Sequence, residues 1–223
     1  MKKVVSIGNQ GFEKLRVGGY FYVDKTDFIR EWWEAGDEVT LIARPRRFGK
    51  TLNMDMLNCF FSNRYKNRGD LFEGLSIWKR EEYRKLQGSY PVIFLSFANV
   101  KGDNYKDARN SIVSAINSAY QAHAYLVDSD VLTEGEKSFF SQLDQYVNDI
   151  SADKQIVNEA IFRSLNNLSS CLARYYGKQV IILLDEYDTP MQEAYVYGFW
   201  NEFTSLIRNL FNATFKTNPY LYR

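Results

Sequence analysis

A chain of 223 residues with 45% hydrophobic and 25% charged residues has globular composition and enough length to bury a sizeable core, which excludes disordered and collagen-like classes. A formal net charge of +1 gives no global field to draw the chain to nucleic acid or an anionic membrane, so any basic site must be local. Two cysteines, Cys59 and Cys171, without CxxC or Cys/His spacing argue against zinc and against a disulfide framework, and fit a reduced, cytoplasmic setting.

In chain order, residues 1–36 read as a lead-in. Gly18 and Gly19 make a turn, 20–23 is extended, and 27–35 is a helix stopped by Gly36. Residues 39–43 (VTLIA) form a short apolar run ending at a basic, proline-containing loop, the pattern of a buried parallel strand. A helix follows from Lys50 to about Phe61, with Leu52, Met56, Cys59 and Phe60 at helical spacing. A second strand is expected at 91–97 (PVIFLSF). Beyond it lie amphipathic helices at 104–126 and 154–176, and between them a helix opened near 134 by the capping-box pair Thr133 and Glu136. A third strand at 179–184 (QVIILL) runs into Asp185-Glu186-Tyr187-Asp188-Thr189-Pro190, and another helix covers 199–215. Residues 219–222 look like the opening of a further strand, which suggests a piece of a longer protein. No stretch approaches the ~20 apolar residues that span a bilayer. Alternating strands and helices with long connections predict a mainly parallel sheet covered on both faces, a three-layer α/β/α fold whose ligands bind at the carboxyl ends of the strands.

Both chemistry-bearing motifs fall at that edge. The run Arg44-Pro45-Arg46-Arg47-Phe48-Gly49-Lys50-Thr51 between strand and helix has the phosphate-loop arrangement, in which amides at a helix N-terminus cradle phosphates, a lysine reaches the β and γ oxygens, and a hydroxyl ligates Mg²⁺. Arg44 stands where GxxxxGK[ST] has its first glycine, so the motif is incomplete, and a basic turn is the alternative. The second motif weighs for the phosphate loop: strand 181–184 followed by Asp185 and Glu186 matches the strand-end acid that holds Mg²⁺ and the adjacent acid that orients the attacking water, a solvated loop being the alternative for the acids alone and the joint occurrence of both motifs at one edge being much rarer. Cofactor-binding candidates are therefore Arg44, Pro45, Arg46, Arg47, Phe48, Gly49, Lys50, Thr51 and Leu52. The metal candidates are Thr51 and Asp185, and the catalytic candidates Glu186 and Lys50.

RPRRFGKT, the upstream FYVDKTDFI at 21–29 and ILLDEYDTP at 182–190 together resemble the bacterial AAA-ATPase-like family, whose phosphate loop also replaces the first glycine with arginine. The resemblance spans about residues 10–223. It implies a P-loop NTPase of the additional-strand (AAA/ASCE-like) class at 37–223, cut before its sensor strand, with ATP and Mg²⁺ as cofactors and, in longer members, a C-terminal nuclease-like domain. It also suggests that Tyr22, Asp24, Lys25 and Thr26 lie near the nucleotide base or brace the loop, a structural turn being the alternative.

Arg44, Arg46 and Arg47 are read as neutralising triphosphate charge rather than as solvated side chains. Asp188 is either a second acid of the site or the cap of the following helix. His123, the lone histidine, is read as structural or exposed. Arg163, Arg174 and Arg208 are arginines that could act across a subunit interface; self-association and nucleic-acid contact stay open. The expected function is ATP hydrolysis that drives or gates an effector, and the rival is a nucleotide-gated binding module with little turnover.

Overall fold

The computed structural model describes residues 4–43, 48–148 and 154–223. They divide into two compact units, Met1–Val92 with Arg223, and Ile93–Tyr222.

The first unit holds helices α1 (Phe12–Val17), α2 (Asp27–Ala35), α3 (Lys50–Phe61) and α4 (Glu81–Leu86), with short 3₁₀ turns between α3 and α4. Its core is a lattice of rings. Phe72 stacks on Phe12 at 5.1 Å between centroids and on Trp78 at 6.1 Å, and meets Phe60 edge-on at 5.1 Å. Trp33 stacks on Phe61 at 5.3 Å, and Trp32 meets Phe61 edge-on. Large rings in offset and T-shaped pairs combine a high buried area with fixed geometry, so a unit with few regular elements still gains one defined packing.

α2 lies where the sequence places it, and Gly36 ends it in the left-handed conformation at φ +74°. α1 is not legible from its neighbourhood because its cap is distant: the Phe12 amide donates to Asp55 Oδ2 on α3 at 2.7 Å, across 43 residues of sequence. Burial pushes the Asp55 carboxyl above its usual range, although the Phe12 amide and the Asn58 side chain pull the other way.

The expected buried strand at 39–43 is corrected. These residues form no strand, and Val39 and Leu41 are 59% and 66% exposed. β-propensity needs a neighbour to pair with and a surface to bury against. Among the described residues of this unit the only bridge joins Ser62 to Tyr90, so the VTLIA run has neither.

The second unit is mixed α/β. Strands β1 (Val92–Ser96) and β2 (Ile181–Asp185) form a small two-stranded parallel sheet. Both fall within the stretches expected from sequence, give or take a residue. The expected opening of a strand at 219–222 is a single parallel bridge: Val180 donates to Tyr220 O at 2.8 Å and accepts from Tyr222 at 2.7 Å. Helices α5 (Tyr105–Ala122), α6 (Glu134–Asn148), α7 (Lys154–Tyr176), α8 (Thr189–Val196) and α9 (Trp200–Phe211) complete the unit, and a π-helical turn, Asn212–Lys216, extends α9.

One face of the sheet joins a continuous aliphatic core. Ile93, Leu95, Val180 and Ile182 pack there with Ile112, Ile116, Leu165, Leu168 and Leu210. Ile181 and Leu183, on the alternate face of β2, are buried too, which is why QVIILL reads as an unbroken apolar run. The capping box forms as expected: the Thr133 amide donates to Glu136 Oε2 at 2.8 Å, and the Glu136 amide to Thr133 Oγ1 at 3.3 Å. No helix among the described residues is long and apolar enough to cross a membrane.

Candidate functional site

The candidate residues belong to two turns that open helices, one in each unit. In the first unit the turn leads into α3. Arg44, Pro45, Arg46 and Arg47 lie outside the described residues. Gly49 is the N-cap of α3 at φ +76°, and its carbonyl accepts the first described helical hydrogen bond, from Asn53 at 2.9 Å. A side chain there would meet no heavy atom within 4 Å, so the backbone angle, not crowding, demands glycine.

Lys50, Thr51 and Leu52 form the first turn of α3 and are partly exposed, and Phe48 before them is 61% exposed. The first amides of a helix have no intrahelical acceptor, and the helix dipole makes that end electropositive. α3 has no acidic residue in its first turn to neutralise it. The turn therefore offers amides, a lysine and a hydroxyl to an anion.

The DKT residues turn out to be a clamp. Asp24 Oδ1 accepts from the Thr26 amide and hydroxyl at 2.9 and 2.7 Å, and Oδ2 accepts from the Ser76 amide and hydroxyl at 2.7 and 2.8 Å. Thr26, fully buried, accepts from the Ile77 amide at 3.2 Å. Desolvation pushes the Asp24 pKa up, but the hydrogen bonds from Thr26 and Ser76 outweigh it and hold the carboxyl below its usual range. Tyr22 directs its hydroxyl at Met56 Sδ, 3.3 Å away, and its pKa is pushed up to about 12, chiefly by burial. Asp24 and Thr26 thus tie the 24–26 turn to 76–77, and Tyr22 packs into the ring lattice against Phe12.

In the second unit the turn follows β2. Asp185 ends the strand, is 5% exposed, and its carbonyl accepts from the Phe97 amide at 2.9 Å, which sets the carboxyl ends of β1 and β2 side by side. No hydrogen bond or ion pair reaches its carboxylate among the described residues. Glu186 sits at φ +52°, alone among the described non-glycine residues in having positive φ. For a residue with a Cβ that conformation costs on the order of 1–2 kcal/mol. The turn is closed by the Thr189 amide on Glu186 O at 3.1 Å and by Thr189 Oγ1 near Glu186 Oε2 at 3.4 Å.

Asp188 is at the N-cap of α8, yet its side chain does not cap. It accepts from Gln192 Nε2 at 3.1 Å through Oδ2, while Oδ1 is buried without a partner.

Thr51 and Asp185 bear hard oxygen donors of the kind Mg²⁺ takes, and a buried carboxylate without a hydrogen-bond donor suits a cation. Among the described residues no three His, Cys, Asp or Glu groups gather as a metal cage, and an ion held by one or two protein oxygens plus substrate phosphates needs none. A cleft of about 620 Å³ between α5, α7 and α9, lined among others by Tyr105, Lys154, Asn158 and Glu202, contains none of the expected site residues. Arg174 is committed within the unit, to Glu136 and to Val131 O at 2.9 Å, and buried His123 pairs through Nδ1 with Tyr125 Oη at 3.2 Å.

One buried charge escaped the sequence reading. Arg109 on α5 is 4% exposed, in line with the apolar positions Ile112, Val113 and Ile116. An arginine on an apolar helical stripe is the signal that could have found it.

These two turns occur in a chain that belongs to the predicted AAA-ATPase family, whose family model matches residues 6–223. Membership implies nucleotide binding. Among curated proteins, an uncharacterized protein in the vnfD 5' region of Azotobacter chroococcum mcd 1 is 30% identical over 191 residues. That match covers 85% of this chain and 30% of the relative's length, so the chain spans less than a third of that protein. No solved structure matches.

Proposed function

We propose that residues 37–223, with 1–36 as a lead-in, are a three-layer P-loop domain of the additional-strand class that binds ATP with Mg²⁺ and hydrolyses it. The observation that carries this reading is the left-handed Gly49 at the mouth of α3, which turns the backbone so that Lys50 and Thr51 open an unneutralised helix N-terminus. Lys50 holds the β and γ oxygens, with Arg44, Arg46 and Arg47 neutralising further phosphate charge. The amides from Phe48 to Leu52 orient the chain of phosphates. Thr51 and Asp185 hold Mg²⁺, which when bound withdraws charge from the phosphate oxygens.

Glu186 accepts the proton of the attacking water and orients it. Its strained backbone supports that role, because left-handed non-glycine residues concentrate where a side chain must be aimed.

A second reading, a nucleotide-gated binding module with little turnover, is favoured by the incomplete phosphate loop, in which Arg44 stands in place of the first glycine. A C-terminal effector domain and self-association belong to the same proposal.

Glu186→Gln separates the readings. It keeps size and most hydrogen bonding but cannot take a proton, so ATP affinity should hold while phosphate release falls by ~10² to 10⁴. Hydrolysis at the parental rate would remove Glu186 from the mechanism. Tight ATP binding by the parent without measurable turnover would favour the gated module.

A further inference from the structure

Buried arginines are ordinarily paired, because an isolated guanidinium taken from water has nothing to replace its hydration. Arg109 breaks that rule. It is 4% exposed, its Nε is buried without any hydrogen-bond partner, and among the described residues its one polar contact is Nη2 to Asn110 Oδ1 at a long 3.4 Å. No carboxylate of the described residues pairs with it.

Its position in the fold is equally specific. α5 follows β1 directly, so the N-terminal turns of α5 lie at the carboxyl edge of the sheet, the edge where Phe97 bonds to Asp185 and Glu186 follows. Helical side chains lean toward the helix N-terminus, which directs an arginine in the second turn of α5 toward that edge. The connection between β1 and α5 is closely fitted: a Cβ on Gly102 would come within 2.4 Å of the Ala108 amide nitrogen, and Ser111 Oγ donates to Lys101 O at 2.8 Å.

We infer that Arg109 is an oxyanion receptor, a guanidinium held in reserve at the carboxyl edge for a phosphoryl group, with its free Nε–H and an Nη–H presented as a fork. Arginine suits this use because its planar donors match two oxygens of one phosphoryl group at once and its charge cannot be titrated away. The inference rests on the proposed function only for the source of that group, the bound nucleotide or a free phosphate.

The test reads the Nε–H directly. In ¹⁵N-labelled protein the Arg109 Nε–Hε resonance, identified by its loss in Arg109→Lys, is followed while inorganic phosphate and, separately, ATP with Mg²⁺ are added. The Hε signal should move with saturation in at least one titration, and its exchange with water should slow at least tenfold. Arg109→Gln should lose the phosphate-dependent rise in melting temperature. A shift with ATP that disappears in Lys50→Ala assigns the group to the nucleotide. A shift with phosphate in a chain that does not bind ATP leaves the receptor standing and removes the nucleotide reading. If ATP binds and the Arg109 signal stays fixed with both additions, Arg109 is a structural buried charge and the inference is overturned. Because both titrations use the parent chain, the result does not depend on whether Arg109→Gln folds.

Discussion

The two turns that carry the candidate chemistry use the same backbone device at opposite cost. Gly49 and Glu186 both adopt positive φ, at +76° and +52°, and both precede a helix within a few residues. At Gly49 the conformation is nearly free, because glycine has no Cβ to clash. At Glu186 it is strained. A turn that has to present amides can use the residue that bends most easily. A turn that has to present a carboxylate cannot, and the surrounding structure must hold the strain. The units around the turns differ in the same spirit: the first is fixed by rings and polar clamps, the second by an aliphatic sheet-and-helix core.

The sharpest break of that comparison is a matched pair of ring deletions. Phe72 and Phe203 are both fully buried, but Phe72 pairs with three rings and Phe203 with Phe199. Ring pairs contribute ~0.5–1.5 kcal/mol each beyond their buried area, so Phe72→Leu should destabilise more than Phe203→Leu by about 1–3 kcal/mol in urea unfolding. Equal losses would mean that the rings of the first unit act as bulk alone.

The turns themselves predict effects of opposite sign. Gly49→Ala should cost about 1–2 kcal/mol, since alanine must enter the left-handed region. Glu186→Gly should gain up to about 1 kcal/mol, the relieved strain being partly offset by the greater freedom of glycine in the unfolded chain. Thermal unfolding of both variants checks the signs, and a destabilised Glu186→Gly would show that the glutamate is not strained.

The polar clamp adds an effect that depends on pH. The Asp24 pKa is lowered in the folded chain, so its contribution is fully present above the unfolded value near pH ~3.9 and is lost as pH falls through the folded value. Asp24→Ala should cost about 1–2 kcal/mol at pH 7, a range kept low because Asp24 is exposed. The difference from the parent should shrink in acid. A gap that stays constant down to pH 2 would remove the clamp from the account.

The sequence was legible where local pattern and tertiary context agree. Strands 91–97 and 179–184 could be read because burial on both sides makes the run apolar, and the capping box because its partners are three residues apart. α1 was not legible because Asp55 caps it from another helix. The run at 39–43 misled because apolar β-branched residues announce a strand without stating whether a neighbour exists to pair with it. Of the candidate site, Gly49, Lys50, Thr51, Asp185 and Glu186 are proposed from motif spacing. The strain at Glu186 and the isolation of Arg109 are properties of three-dimensional surroundings that no spacing encodes.

Whether α3 opens on a nucleotide site is read by calorimetry of ATP with Mg²⁺ against the parent and Lys50→Ala. The parent should bind saturably, and Lys50→Ala should lose about 1.5–3 kcal/mol or more, a drop of at least roughly tenfold in affinity. Unchanged affinity in Lys50→Ala, with the fold intact by circular dichroism, would contradict a nucleotide site there.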